Sequence, residues 1–367
     1  MRYSTKKRIS KYIFWLLIAG LILILNLWLF FIVQPVTRIE KDLIKLDVSP
    51  YAKAFPYEEG LIFVDQKELI CLDLKGREKF RKELPSFDME AYRNGDATVV
   101  WNDQVAQIYN ELGERILEKT FDGTGSQILF ARTGNSYFAL ATREEGQYRA
   151  RIYDYEANEV DIMYFPFQSI LDLGFFGESG DQLWAMLLDS HGTVPITKVR
   201  TDHPGKSMTG ALNVYNQVCY AVMPLDTLIY VVGTHHVESY TYTSVEKSEV
   251  LVYGWTMQDY IDYDDKVSFL MGTNQNDEYA SPISALWYIG ADSKQFRLSM
   301  PTGIINAAIS EDYIYAFSQE GVYVYEIGKS GKKFHKLSFQ IMDIPAVVKG
   351  KAIVIQSQDE FYLLPME

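Results

Sequence analysis

The sequence predicts an all-β fold that follows one membrane-spanning helix. Residues 12–33 form an almost unbroken apolar run, long enough as a helix to cross a hydrocarbon core of about 30 Å. Aromatic residues make up 14% of the chain, and beyond the apolar run short strand-like segments replace helical periodicity. These segments recur in similar groups at intervals of roughly 35–46 residues, which is the period of four-stranded propeller blades.

The N-terminal segment predicts how the chain is placed in a membrane. Basic residues precede the apolar run and no acid occurs among the first eleven positions, which favours a cytoplasmic N-terminus. A cleaved signal peptide is the alternative, but bulky residues such as Trp28 and Phe31 stand where a peptidase needs small ones. We therefore expect a cytoplasmic tail (1–11), a transmembrane signal anchor (12–33), a linker (34–37) and an extracytoplasmic domain (38–367), in a single-pass protein of a bacterial cell membrane.

Charge and cysteine content limit the partners of the domain. The whole chain has a formal net charge of −13, and the tail removes five basic residues from the remainder, which is therefore more acidic still. Such a surface is repelled by nucleic acid and by anionic lipid headgroups, so we expect neither as a ligand. The two cysteines, Cys71 and Cys219, are far apart in strand-like runs, which favours buried free thiols over a disulfide.

The repeated unit is a strand, a turn, a second strand, a glycine turn and a polar strand. This order is that of a meander, in which consecutive strands pair as hairpins. In the first two copies, two mainly apolar runs precede one polar strand, at 60–64, 69–74 and 78–84, then 97–101, 105–109 and 115–121. Later copies contain strand-like runs at 128–132, 137–141, 150–155, 171–176, 183–188, 196–200, 218–223, 228–232, 237–243, 249–253, 267–271, 285–289, 313–318, 322–327, 346–348, 352–356 and 361–364.

The last copy lacks a fourth strand, and residues 38–46 are the candidate to supply it. This segment is similar in polarity to the outer strands of other copies, and its pairing with the last copy would close the ring without an open sheet edge. The closed ring then has eight blades, with seven as the alternative if two loop-rich copies merge. A short juxtamembrane helix is the other interpretation of residues 38–46, because their apolar spacing fits both.

Residues 69–84 and 108–121 resemble the repeats of pyrroloquinoline-quinone-type and WD-type β-propellers. The arrangement of anchor and repeats is similar to membrane-anchored propellers of Gram-positive bacteria and, more distantly, to eight-bladed lipoproteins of outer-membrane assembly. The resemblance implies a propeller over residues 38–367. Quinone-dependent members use stacked tryptophans and adjacent cysteines, whereas Phe80, Ile116 and Phe334 stand at the tryptophan positions here. We therefore expect no quinone and no other cofactor.

Five segments are candidate sites. Adjacent strand residues point to opposite faces, so we expect His235 and His236 not to share a metal. The aspartates around Tyr260 and Tyr263 are predicted to form a solvated loop rather than a calcium site. Residues 203–207 lack the first glycine of a phosphate-binding loop. The polar stretches 189–212 and 273–282 are candidate partner-contacting loops, since recognition concentrates in long loops on a rigid scaffold.

The leading functional prediction is a non-catalytic module that binds proteins outside the membrane. No catalytic, metal or cofactor-binding residue is predicted, and the binding residues and the oligomeric state are left open. A ligand-sensing or enzymatic site in the central channel, including Asp172 or Asp262, is the first alternative. A structural role in envelope or division assemblies is the second.

Overall fold

A computed structural model describes residues 39–121, 125–177, 179–206, 208–263, 266–273, 282–329 and 331–366. The predicted tail, anchor and linker lie outside these residues. Within the described ranges, the single helix is far too short to span a bilayer.

The described chain forms 32 β-strands and one short helix, α1 (Ile39–Asp42). The first half of the chain contains β1 (Ile44–Leu46), β2 (Lys53–Tyr57), β3 (Gly60–Asp65), β4 (Glu68–Asp73), β5 (Glu78–Glu83), β6 (Glu90–Asn94), β7 (Ala97–Trp101), β8 (Val105–Tyr109), β9 (Arg115–Thr120), β10 (Ser126–Thr133), β11 (Tyr137–Glu144), β12 (Gln147–Asp154), β13 (Glu159–Phe165), β14 (Ser169–Phe176), β15 (Gln182–Asp189), β16 (Ile196–Asp202) and β17 (Met208–Tyr215). The second half contains β18 (Cys219–Pro224), β19 (Leu228–Gly233), β20 (His236–Thr241), β21 (Glu246–Leu251), β22 (Trp255–Tyr263), β23 (Lys266–Thr273), β24 (Ala285–Ile289), β25 (Gln295–Ser299), β26 (Ile304–Ile309), β27 (Tyr313–Ser318), β28 (Gly321–Glu326), β29 (Lys332–Lys336), β30 (Asp343–Val348), β31 (Ala352–Gln356) and β32 (Phe361–Pro365).

These strands form eight antiparallel sheets of four strands, which are the blades of a propeller. Blades 1 to 7 each use four consecutive strands, from β2–β5 to β26–β29, and blade 8 has the order β1-β32-β31-β30. The first strand of each blade lines the central channel and the fourth lies at the outside. The middle strands β3 and β4 are almost wholly buried, whereas the charge-rich outer strand β9 has no buried residue. The eight-bladed prediction is confirmed, and the seven-bladed alternative is wrong.

The ring closes where the start and the end of the described chain meet. Strand β1 pairs antiparallel with β32, with Leu46 opposite Phe361, and so supplies the fourth strand of blade 8. We expected an extended segment over 38–46, but its first part is α1. Ile39 and Leu43 are four residues apart, so one helical turn places both against the hydrophobic cluster between blades 7 and 8. The Glu40 carboxylate also accepts a hydrogen bond from the Ser338 backbone N–H.

The hydrophobic core is divided into eight clusters, each between two neighbouring blades. At the seam between blades 8 and 1, the rings of Phe63 and Phe361 lie 5.4 Å apart between centroids. Leu46 packs in the same cluster and is only 2% exposed. The seam is thus packed like the other blade interfaces.

The two faces of the ring carry different loops. The connection face, as we call it, carries the connections between successive blades and the turns between second and third strands. The turn face carries the turns between first and second and between third and fourth strands. Strand β1 runs towards the connection face, so residue 39 lies at the turn face. Met366 also lies there, since its N–H donates to the carbonyl of Lys351 in a first turn.

Two sequence predictions about local structure have clear outcomes. Cys71 and Cys219 are free and buried in blades 1 and 5, and burial raises the pKa of the Cys219 thiol to about 12. The stretch 189–212 is not one long loop, because β16 and the start of β17 occupy most of it. Every second residue of β16 from Thr197 to Thr201 is buried, but two of these three residues are threonines, so burial follows the strand period although the stretch is polar.

Candidate functional site

Exposed apolar side chains are spaced around the connection face. Five of the eight connections that join successive blades carry a large apolar residue that is more than half exposed. They are Tyr51 (87% exposed), Phe167 (79%), Tyr253 (70%), Phe87 (57%) and Met342 (57%). Exposed apolar residues also occur elsewhere, for example Leu112 and Val245 in turns of the turn face. Single ones are ordinary on a protein surface, but five on the connections of one face indicate an interaction surface. We call these five residues the apolar ring.

Three residues of the apolar ring contact a side chain from a turn on the same face. Lys67 Nζ lies 4.7 Å from the centroid of the Phe87 ring. The ring of Phe167 meets His191 edge-on at 5.8 Å, and Tyr253 stacks on His235 at 5.1 Å. Each contact joins a connection to a turn between second and third strands. These contacts hold the exposed rings in place, which lowers the entropy lost when a partner covers them.

The backbone at Phe167 strengthens this interpretation. Its φ of 66° lies in the left-handed region, which is unusual for a bulky residue and costs energy. The strained turn directs an aromatic ring into solvent rather than into the core. Burial alone therefore does not explain the conformation, and a strained, exposed aromatic residue is typical of a functional position.

A second candidate site lies in the central channel on the side of blades 2 to 4. The Arg132 guanidinium stacks on the Tyr92 ring, 4.7 Å from its centroid, and donates a 2.8 Å hydrogen bond to Asp172 Oδ1. All three residues come from first strands, which places them on the channel wall. Burial raises the pKa of the Asp172 carboxyl, although Arg132 opposes this shift.

The opposite wall is formed by blades 6 and 8. Lys349 Nζ lies 2.7 Å from Asp262 Oδ2 and 4.9 Å from the centroid of the Tyr260 ring. Asp259 accepts hydrogen bonds from the backbone N–H groups of Ile309 (2.9 Å) and Tyr260 (2.8 Å). Burial raises the pKa of the Asp259 carboxyl to about 7. A cavity of about 860 Å³ opens beside these residues at the turn face.

The aspartates of this segment were predicted to lie in a solvated loop, and for 259 and 262 that prediction is wrong. Residues 255–263 form β22, the first strand of blade 6. Polar residues are tolerated on this strand because one side faces the channel rather than a neighbouring blade. Asp264 and Asp265 lie outside the described residues.

A third group is able to bind a metal ion. His236, Glu238 and Glu249 place one ligand atom each within 4.8 Å of the others. His236 and Glu238 are two apart on β20, so both point to one face, and Glu249 lies directly opposite Glu238 on β21. His235 does not belong to this group, and its ring stacks on Tyr253. Sequence reasoning missed the His-x-Glu spacing, which was the available signal.

The remaining candidate segments have plainer roles. Residues 203–206 form part of the turn between β16 and β17, at the turn face. Of the stretch 273–282, only its two end residues are described. Thr273 accepts a hydrogen bond from the Ser284 N–H at 3.1 Å, so the segment between them begins and ends on the connection face.

Comparisons with known proteins show the fold. The chain is similar to BamB from Moraxella catarrhalis, with 9% identity and a TM-score of 0.55 over 89% of this chain and 96% of that one. It is also similar to a eukaryotic initiation factor, with 9% identity and a TM-score of 0.53 over 88% and 87% of the two chains. No family model and no curated protein matches the sequence. At these identities the similarity extends to the propeller and not to its ligands.

Proposed function

We propose that this protein is a membrane-tethered, extracytoplasmic propeller that binds a protein partner on its connection face and catalyses no reaction. The apolar ring is the observation that carries the proposal. Aromatic and methionine side chains are enriched at the centres of protein interfaces, and fixed exposed rings are good anchors for a partner.

The position of residue 39 also supports the connection face as the partner-binding surface. Residue 39 lies at the turn face, and the proposed anchor ends only a few residues before it. A tether attached at the turn face directs that face towards the bilayer. The connection face then points away from the membrane, where an extracytoplasmic partner reaches it.

Site-specific photo-crosslinking tests the proposal in intact membranes. A photoreactive amino acid replaces Phe167 or Tyr253 on the connection face, and Leu112 serves as the control. Leu112 is 65% exposed, which is similar to the exposure of Phe167 and Tyr253. It lies in a turn between third and fourth strands on the turn face. We expect one defined adduct from positions 167 and 253 and none from position 112.

The yield of the crosslinked adduct should also depend on the apolar ring itself. With the crosslinker at position 253, Phe167→Ser should reduce the adduct at least about tenfold, because it removes a large exposed anchor without touching the core. Equal labelling from positions 167, 253 and 112, or an adduct unaffected by Phe167→Ser, would contradict the proposal.

The channel supports a second candidate function, the binding of a small polar ligand. The phenol groups of Tyr92 and Tyr260 form no side-chain hydrogen bond among the described residues, and both lie beside the 860 Å³ cavity. Paired hydroxyl groups and carboxyls in a concave site are typical of polar ligand recognition. A ligand whose binding is lost in Tyr260→Phe, while the connection-face adduct persists, would assign the ligand to the channel.

A further inference from the structure

The outermost hairpin of blade 5 carries an arrangement that the protein-binding function does not use. Glu238 of β20 and Glu249 of β21 are direct cross-strand neighbours, so both carboxylates point to the same side of the hairpin. Like charges directly opposite each other destabilise an antiparallel pair. A cation between the two carboxylates would remove this cost.

Glu238 is a buried carboxylate with only neutral partners. Its side chain belongs to a residue that is 9% exposed, and its two oxygens accept hydrogen bonds from Gln217 Nε2 (2.9 Å) and from the Tyr240 hydroxyl. In the part of the chain that the structure describes, no lysine or arginine forms an ion pair with it. Buried charges in proteins are normally paired or coordinate a metal ion, so this environment suits the binding of a cation.

His236 completes a donor set for such a cation. Its Nε2 lies 3.3 Å from Glu249 Oε1. In a tetrahedral site with metal–ligand bonds of about 2.0–2.1 Å, two ligand atoms are separated by about 3.3 Å. One imidazole and two carboxylates suit zinc and related divalent transition metals better than calcium, which prefers six or more oxygen ligands.

Gln217 and Tyr240 provide the outer support that metal sites use. Both donate to Glu238 and so fix the direction of its carboxylate. Gln217 also accepts hydrogen bonds from the backbone N–H groups of His235 and His236, at 3.1 and 2.9 Å. One amide side chain thus positions two of the three ligand residues.

We propose that His236, Glu238 and Glu249 bind a divalent transition-metal ion, best matched by zinc, and that the ion fastens β21 to β20. Strand β21 has five exposed residues of six and contributes little to the core. A metal bridge through Glu249 holds this outer strand where packing does not. Three protein ligands leave a coordination position for water.

Zinc titration of the full-length, untagged chain in detergent micelles, after chelator treatment, tests the proposal. We expect one zinc ion per chain by calorimetry and a visible absorption spectrum when Co²⁺ replaces zinc. His236→Ala should weaken zinc binding at least about 100-fold, and Gln217→Ala about 10- to 100-fold. His235→Ala is the matched control, since this neighbouring imidazole stacks on Tyr253 and is not one of the three ligand residues, and the zinc affinity of this variant should be unchanged.

A second readout separates a metal ligand from a residue needed for folding. Glu249 is exposed, so Glu249→Gln should fold, and amide hydrogen exchange can be compared in the two proteins. Zinc should slow the exchange of β21 amides in the original chain and have no effect in Glu249→Gln. Absence of stoichiometric zinc uptake, or equal affinities in the His235→Ala and His236→Ala variants, would overturn the proposal.

Discussion

Two carboxyl groups of this propeller have opposite environments, and each environment has a measurable consequence. Glu144 lies at the end of β11 and accepts hydrogen bonds from Arg151, Arg149 and Thr142, at 2.5 to 2.8 Å. The hydrogen bonds from Arg151 are the largest cause of a Glu144 pKa of about 2. Asp259, in the channel wall, accepts hydrogen bonds from two backbone N–H groups, and burial raises the pKa of its carboxyl to about 7.

Glu144→Gln should lower the free energy of unfolding at pH 7 by about 2–3 kcal/mol, because two arginines lose their buried partner. The contribution of Glu144 is present above its unfolded pKa of about 4.5 and is lost as the pH falls towards 2. Urea unfolding at pH 7 and pH 3 measures the difference between variant and parent, which should shrink at the lower pH. Glu145→Gln, at the exposed neighbouring position, should change stability by less than about 0.5 kcal/mol.

Asp259 should make stability depend on pH in the opposite direction. The pKa of Asp259 is about 7 in the folded protein and 3.8 in the unfolded chain. Its contribution to the free energy of unfolding is therefore fully present below pH 3.8 and is lost as the pH rises through about 7. Asp259→Asn should therefore flatten the decline in unfolding free energy between pH 5 and pH 8 by about 2–4 kcal/mol. Parallel declines in parent and variant would show that this carboxyl is ionised throughout.

The sequence identified some of the candidate site residues and missed others. The sequence brought Asp172 and Asp262 forward as channel residues, and the structure places both on the channel wall. Phe167 and Tyr253 were missed, because an apolar residue in a turn carries no periodic signal. Glu249 was missed because it acts with residues on another strand, and only the register of the hairpin brings it opposite Glu238.

Elements were predicted well where an apolar face is buried and poorly where it is not. The fully buried strands β3 and β4 follow directly from their apolar runs. Strand β22 was assigned to a loop, because its channel side takes the charged residues normally found in loops. The segment around Ile39 and Leu43 was ambiguous for a physical reason, since residues four apart fall on one side of a helical turn and also on one side of a strand.

The closing strand offers a direct test at this scale. Leu46→Ala should lower the free energy of unfolding by about 2–4 kcal/mol, because it leaves a cavity in the seam beside Leu72 and Phe361. Lys45→Ala is the control on the same strand. It removes only an exposed ion pair with Glu360, and exposed ion pairs contribute little to stability. Chemical denaturation compares the two, and equal losses would mean that β1 does not pack in the seam.

For the whole molecule, the blade number and the head-to-tail closure could be inferred from the sequence because both depend on the repeat period and on one missing strand. The residues that lie together on each face of the ring could not be inferred from the sequence. Which loops share a face follows from strand direction in the assembled ring, and the aromatic residues of the apolar ring come from connections far apart in the chain.

The short tether makes a prediction at the same scale. Five residues separate the predicted anchor from α1 and reach at most about 20 Å, so the proposed tether would hold the connection face at a fixed height above the membrane. Inserting a 20-residue Gly/Ser linker after Pro35 adds a root-mean-square reach of about 25 Å. Circular dichroism and thermal unfolding should be unchanged, while the adducts formed from position 167 should change in identity or yield. An identical adduct pattern would show that height does not select the partner.

The pairing of β1 with β32 also sets the order of events during biogenesis. Lys45 and its partner Glu360 are 315 residues apart, so β1 can pair with β32 only after all the strands between them have been synthesised. At about 5–20 residues per second, that delay is roughly 15–60 s. During this interval blades 1 to 7 can form. Blade 8 is still incomplete, and the most recently synthesised strand has an edge whose backbone groups are unpaired. The nascent propeller is therefore vulnerable to proteases and to strand exchange with its neighbours until β32 has been synthesised.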